Sequence, residues 1–281
     1  MADERLTAFG DDMFGDGIDP HTGSITFFQT DVSLPGNSHL PVAIARRRIQ
    51  GVLTVGNPNG AEFGDWELRV PRMRVTSAAQ RPWTGSCTTP FATTFSGVVW
   101  NGAVVSRNQY SNGIMVEVGD SDTPLLEFAS GPQWPAGATH ATTTNWYFTC
   151  GANNTFVGHA PNGDVCRFDR LIEREAESMS FVNGVDLPRK IYILAATQVT
   201  DVNGNWVNYT YDASGRLTRI SSNDGRTITL SYSGASHLIQ SVTANGRTWT
   251  YAYRYLEFDY PIWRSFEGDA APGWVLQTAT L

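Results

Sequence analysis

The chain has 281 residues, a net charge of −7 at neutral pH, 27 glycines and nine tryptophans. That length allows one large or two modest domains around a sizeable core, and plentiful Gly, Thr, Val and aromatics with sparse charge exclude disorder and read as an all-β protein of short strands. An acidic chain whose one lysine is Lys190 lacks the basic patches that non-specific nucleic-acid binding requires, so no nucleic-acid partner is expected.

No stretch is long and apolar enough for a membrane span. The opening, MADERLTAFGDDMFGDG, is acidic and has no basic start followed by an apolar run, so it is not a standard secretory signal. The expected location is outside the cell or on its surface by a signal-independent route, or cytoplasmic before export. Cys87, Cys150 and Cys166 have no metal-ligand spacing. Any one disulfide leaves a free thiol, the spacing does not choose among the three pairs, and buried free thiols are the favoured reading.

In chain order, residues 1–18 read as a solvated acidic arm. Asp11, Asp12, Asp16 and Asp19 do not follow the spacing of a calcium loop. Residues 19–23 read as a turn, Ser24 to Leu34 as a strand, Pro35-Gly36-Asn37 as a turn and Leu40 to Val55 as a returning strand. That strand carries Arg46-Arg47-Arg48, read as a solvated edge or a salt-bridged wall rather than a phosphate site. Trp66, Leu68 and Val70 alternate as a half-buried strand closed by Pro71. Residues 76–97, rich in Thr, Ser and Pro, predict a surface excursion, and Asn101-Gly102 predicts a hairpin. Ile114, Val116 and Val118 keep strand period, and residues 130–145 read as a loop. Trp146, Tyr147 and Phe148 are expected to pack across a sheet. Arg167 to Glu177 predicts a strand running into a loop, and Ile191 to Leu194 is an apolar lead-in to the next segment.

From residue 199 to 253 the chain repeats. Gly204, Gly225 and Gly246 stand 21 residues apart, as do Tyr211, Tyr232 and Tyr253, and Leu217 and Leu238 keep the same step. A fixed period marks a stacked architecture. After each glycine comes a strand of period two: Val207, Tyr209 and Tyr211; Ile228, Leu230 and Tyr232; Trp249, Tyr251 and Tyr253. Small polar residues fill the other face, which makes each strand half-buried. Asp224-Gly225 and Asn245-Gly246 predict tight two-residue type I′ turns, and Asp212 to Gly215 supplies another turn. Each unit is thus strand, turn, strand, turn. The tyrosines are expected to form a column on one face of one antiparallel sheet. The tail 254–281 stops repeating but keeps Tyr255, Phe258, Tyr260, Trp263 and Trp274. It either folds back as a cap or stays exposed; its sparse charge favours exposure and self-association through the C-terminal third.

No chemistry-bearing constellation accompanies this pattern. His21, His39, His140, His159 and His237 build no metal site on one element, and His237 is expected to face solvent or cap a turn. Ser86-Cys87 has no identifiable partner base. Asp65, Glu67, Glu117 and Glu127 are carboxylates in or near strands, candidates for paired acid and base work only if the fold brings them together. No catalytic, cofactor or metal residue is assigned, and a non-enzymatic role is expected.

TYDASGRLTRI, preceded by VTDVNGN, closely resembles the YD repeat of the Rhs and YD-repeat proteins. GIDPHTGSITFFQTDVSLPGN with FGDWELRVPRM resembles the opening of bacterial Rhs-type proteins, and RFDRLIE with KIYILAATQVTDVNGN resembles the lead-in to their repeats. The resemblance covers roughly 13–75 and 160–255. It implies a curved antiparallel sheet of repeated hairpins with little or no helix. It divides the chain into an N-terminal Rhs-like β segment (1–75), a variable β and loop region (76–166), a YD-repeat sheet (167–260) and a tail cut from a longer chain (261–281). Family members build spiralling sheets that close into hollow shells around a toxic C-terminal domain, and related repeats occur in cell-surface adhesion proteins. The expected role is a shell wall that encloses or presents a toxin or effector. Its expected partners are the remaining repeats or core of a longer protein and an enclosed toxin domain. A carbohydrate-binding surface module is the rival reading, suggested by the tryptophans. No counterpart of the cleavage core is present, and a little over two repeats cannot close a cage. The repeat residues that would carry the structural role are Gly204, Tyr209, Tyr211, Asp212, Gly215, Leu217, Gly225, Tyr232, Leu238, Gly246, Tyr251 and Tyr253.

Overall fold

Glycine, asparagine and aspartate punctuate the chain, β-branched and aromatic residues fill the runs between, and the strands follow that punctuation. The computed structural model describes residues 16–18, 25–50, 61–79, 83, 87, 98–100, 103–105, 113–119, 121–127, 134–180, 186–234, 236–256 and 273–281. Among them the fold is all-β and antiparallel, interrupted by one 3₁₀ turn at Ala152–Asn154. The residues of the acidic arm before position 16, the 19–23 turn, Ser86, Asn101-Gly102 and most of 80–97 lie outside the described residues.

A first sheet runs in chain order through β1 (Asp16–Ile18), β2 (Ile25–Leu34), β3 (Val42–Gln50) and β4 (Glu67–Arg69). β5 (Arg72–Ala78) leaves it for the large sheet. β6 (Val98–Trp100) and β7 (Ala103–Val105) make a separate hairpin. The large sheet takes in β8 (Met115–Val118), β9 (Ser121–Pro124), β10 (Leu126–Glu127), β11 (Ala138–Ala141), β12 (Tyr147–Cys150) and β13 (Phe156–His159). Two long strands follow, β14 (Val165–Ser180) and β15 (Asp186–Thr200). The repeat strands are β16 (Trp206–Tyr211), β17 (Leu217–Ser222), β18 (Thr227–Tyr232), β19 (Ile239–Ala244) and β20 (Arg247–Leu256), and β21 (Gly273–Thr280) closes the order.

From β10 to β21 each strand pairs with the next in sequence, so the sheet is a continuous meander. β15 is long enough to serve two neighbours on one edge. Gln198 to Thr200 pair with β16, and Arg189 to Ala195 pair with β5, which carries β8 and β9 behind it. The first sheet lies over the repeat sheet and the two share one core. Val32, Leu34, Val42 and Ile44 meet Val207, Ile220, Ile228, Ile239 and Val242, all buried. The alternation read from the sequence is seen in the repeat strands: Val207 and Tyr209, Ile228 and Leu230, and Tyr251 are buried, while Thr210, Thr229, Ser231 and Thr250 face outward.

Several expectations are corrected. Trp83 and Cys87 are buried, so the start of 76–97 is not a surface excursion. Residues 130–145 are not all loop, because Ala138–Ala141 forms β11 against β12. Arg167 to Glu177 does not run into a loop; β14 continues to Ser180 because β15 pairs along its length. The 66–70 strand is not half-exposed, since Glu67 and Leu68 are both buried. Of the tail, Gly273–Thr280 forms β21 on β20, with Trp274 opposite Tyr255 and Leu276 opposite Tyr253, and Trp274 remains exposed as expected; Phe258, Tyr260 and Trp263 lie outside the described residues.

Candidate functional site

The repeat sheet is the part of the molecule where side chains recur in one geometry. Three tyrosine hydroxyls donate to backbone carbonyls of the preceding strand: Tyr211 to Ala196 at 3.0 Å, Tyr232 to Leu217 at 2.8 Å and Tyr253 to Ile239 at 2.5 Å. The reason is local. Backbone pairing between β15 and β16 begins at Gln198, between β17 and β18 at Arg219, and between β19 and β20 at Ser241. Each acceptor carbonyl lies two residues outside that first pair, where the ladder has run out. The tyrosine lies three residues past the first paired residue of its own strand and closes the gap. A buried carbonyl without a partner is costly, so the hydroxyl substitutes for the missing ladder bond. Burial pushes all three phenols above their usual range, which keeps them protonated donors.

The acceptors are also the Cα partners of the tyrosine before. Tyr211 sits opposite Leu217 and Tyr232 opposite Ile239. The contacts therefore form one rail across the sheet from β15 to β21. All three tyrosines pack against the common core, the single column expected. Leu238 is not the acceptor of the second unit. The loop between β18 and β19 is one residue longer, and the next turn one shorter, so the seat moves to Ile239 while the 21-residue step is kept. The pairing register slips immediately before each tyrosine, between Thr210 and Tyr211, Ser231 and Tyr232, and Ala252 and Tyr253. Such bulges bend a strand and increase its twist. The period thus repeats a bend as well as a contact.

The turns repeat too. At 201–205, 212–216 and 222–226 the first N–H donates to the fifth carbonyl, and the fourth residue, a glycine, donates back to the first. Within each of these turns the glycine is the one residue of positive φ, which makes the turns three-residue loops closed by a glycine bulge. Asp224-Gly225 is therefore not the type I′ turn expected. Asn245-Gly246 is, with φ of 49° and 73°. Asp201 and Asp212 pin their loops by accepting the N–H of Asn205 at 2.9 Å and of Arg216 at 2.9 Å. The 212–216 loop also rests on β14: Arg170 donates to the Asp212 carbonyl at 2.8 Å, and Gly215 abuts Ile172.

Residues 196–227 and 211–248 match the RHS Repeat family. The chain carries RHS repeats over residues 196–248. No curated protein matches it. The matched span starts at Ala196, the first acceptor of the rail, and ends in the strand of the third tyrosine.

Around the RHS repeats, the N-terminal segment is clasped to the loops. Arg226 donates to the carbonyls of Leu34 at 3.0 Å and Leu40 at 3.3 Å, and the Asn37 N–H reaches Asp224 at 3.2 Å. His39 meets Asp164 at 2.9 Å, and the hydrogen bond to that carboxylate raises the imidazole pKa. Tyr251 donates to Asp31 at 3.0 Å, and the Ile239 N–H to the Glu62 carbonyl at 2.9 Å.

The arginine run is a salt-bridged wall. Arg46 pairs with Asp31 and stacks on Trp66, Arg47 pairs with Glu67 and Asp122, and Arg48 pairs with Asp65. Arg69, Arg72, Arg74 and Arg174 extend it through Glu62, Glu67, Glu117 and Asp122, joining β3, β4, β5, β8, β9 and β14. Burial opposes charge on Glu62, but Arg174 and then Arg72 outweigh it and hold the carboxyl at about 2. The fold does bring Glu67 and Glu117 together, but both oxygens of Glu67 are occupied by arginines. Asp65 is engaged elsewhere, and the Glu127 side chain lies outside the described residues. His237, expected to face solvent or cap a turn, is half-buried in the loop between β18 and β19. It lines a small cavity together with Arg174, its Nδ1 is buried, and burial lowers its pKa. Among the described residues no group of three His, Cys, Asp or Glu is placed to hold a metal, and no helix is long and apolar enough to cross a membrane.

The favoured thiol reading is overturned. β12 brings Cys150 to Cys87 with Cα atoms 5.4 Å apart, and the two form a disulfide; Cys166 is the buried free thiol. The pairing depends on where the poorly patterned segment around Cys87 returns to the sheet, which spacing does not encode.

Proposed function

We propose that this chain is a non-enzymatic wall segment of a larger RHS-repeat assembly that encloses or presents a toxin or effector in bacterial competition or secretion. The tyrosine rail carries this reading. It fixes each hairpin to the one before with the same bend, which is what a wall built by repetition requires. The buried ion network and the loop clasp then serve rigidity. In this reading the N-terminal segment (1–75) lines one face of the wall, the 76–166 region is its variable part, and the repeat sheet and tail connect to further repeats. The Cys87–Cys150 disulfide favours a chain that reaches an oxidising environment.

Electron microscopy of the native polypeptide purified from its source tests the proposal. A hollow, curved density continuous with these repeats is expected, and a compact particle without further sheet overturns it. One observation favours the carbohydrate-binding alternative. Trp274 and Tyr255 stand exposed side by side, ring centroids 5.3 Å apart. Selective glycan binding lost in Trp274→Ala would establish that reading instead.

A further inference from the structure

The rail has one more seat than it has tyrosines. Leu276 is to Tyr253 what Leu217 is to Tyr211 and Ile239 is to Tyr232: the opposite residue across a bulge. In the two earlier cases that residue's carbonyl receives the next tyrosine hydroxyl. No hydroxyl reaches the Leu276 carbonyl among the described residues. The likeness extends to the amide. The Ala196 N–H donates to Pro71 and the Ile239 N–H to Glu62, both from the segment that crosses the strand ends. The Leu276 N–H also donates to that segment, here to the Asp65 carboxylate at 2.9 Å rather than to a backbone carbonyl. The site is thus built on its amide side and open on its carbonyl side.

Among the described residues the edge beside it is also open. β21 is the last strand in the sheet order and pairs only with β20 among the described residues. Its sequence, GWVLQTAT, has neither charge nor proline, the usual protections of a strand edge. By the register of the earlier units, pairing would begin at Thr278, two residues past Leu276.

We infer that the outer edge of β21 is a docking site for one antiparallel strand that carries a tyrosine three residues past its pairing point with Thr278, the hydroxyl closing on the Leu276 carbonyl. The occupant is an RHS-type hairpin strand following β21, and continuity with the rail identifies it. Backbone pairing supplies the affinity and the tyrosine fixes the register. The inference deepens the wall reading and rests on it in taking the sheet to continue. Its test reads the edge alone, so an empty or misregistered edge is distinguishable from a wall that encloses nothing.

The experiment appends a copy of Asn223–Tyr232 directly to Leu281 of the full chain. This puts the new tyrosine fifteen residues after Leu276, the separation of Leu217 and Tyr232. Hydrogen exchange is followed at the β21 amides, with the β18 amides as the control for an intact fold. Exchange at Ala279, the counterpart of Ile220 and directed to the open edge, should slow by about tenfold or more relative to the native chain, whereas the Thr278 and Thr280 amides face β20. A phenylalanine in place of the appended tyrosine should forfeit about fivefold of that protection, the share of one hydrogen bond of ordinary strength. If the extension misfolds, the same decapeptide and its phenylalanine form are added in trans and the same amides compared. Unchanged exchange, or equal protection by both forms, overturns the inference. So does protection already present in the native chain. If it grows with concentration, a second copy holds the edge; if it does not, the chain covers its own edge.

Discussion

The Tyr232 hydroxyl lies 2.8 Å from the Leu217 carbonyl, at the point where backbone pairing between their strands has ended. One side-chain bond finishes a ladder that the backbone leaves short. Tyr232→Phe keeps the buried ring and orphans the carbonyl, so it should cost about 1 kcal/mol. Tyr232→Ala also empties the core beneath and should cost about 3–5 kcal/mol. Urea denaturation of both variants checks this. Tyr253→Ala, nearer the open edge, should cost less than Tyr232→Ala, and the reverse order would count against the rail as the organising contact.

Two glycines of the repeat separate backbone strain from crowding. Gly204 has φ of 83° and nothing near the place of a Cβ, whereas at Gly215, with φ of 76°, a Cβ would stand 2.7 Å from Ile172. Gly204→Ala should cost about 1–2 kcal/mol for the left-handed backbone alone. Gly215→Ala should add about 1–3 kcal/mol for overpacking against β14. Equal losses in thermal unfolding would show that the 212–216 loop does not press on β14 in solution.

The disulfide makes a count. The denatured, unreduced chain should titrate one thiol, Cys166, and the reduced chain three. Because 63 residues separate Cys87 and Cys150, replacing both by serine should lower stability by about 4 kcal/mol on chain-entropy grounds. Three thiols without reductant would refute the pairing.

Acid should act through the arginine–carboxylate network. Glu62 is held at about 2, below its ordinary 4.5. A depressed carboxylate contributes stability above its unfolded value and loses it as pH falls through the folded one. The urea midpoint should therefore hold from neutrality down to about pH 4.5 and fall steadily toward about pH 2. Glu62→Gln should flatten part of that slope. It should also destabilise the chain at neutral pH by about 3 kcal/mol, since Arg174 loses its buried partner. His39 runs the other way. Its raised pKa contributes stability below the ordinary 6.5 that is lost as pH rises through the folded value, so His39→Gln should remove a small alkaline decline.

What the sequence made legible was whatever repeats locally. Tyr211, Tyr232 and Tyr253 share a step of 21, and alternation assigned their face before any coordinates. Their acceptors were not legible, because Ala196, Leu217 and Ile239 have only apolar side chains in common, and the backbone carbonyl that matters is the same in every residue. The bulges were hidden for a related reason: a register slip belongs to a pair of strands. Asp224-Gly225 was misread because a dipeptide does not say how far apart the flanking strands begin to pair. Glu67 and Glu117 looked like carboxylates in search of chemistry, since strands that bury both faces break the polar-out rule that sequence reading relies on. Cys87 lay in a stretch without period, and nothing local pointed it to Cys150.

The bulge before each tyrosine has an evolutionary corollary. Each 21-residue unit carries its own bend, its own anchor and the carbonyl that seats its successor, and the bend and the anchor need no residue from two units away. Duplicating or deleting one unit therefore changes the extent of the surface without altering its local curvature. Size is inherited as a number of copies, and a lineage can vary it by unequal recombination while every joint stays the same.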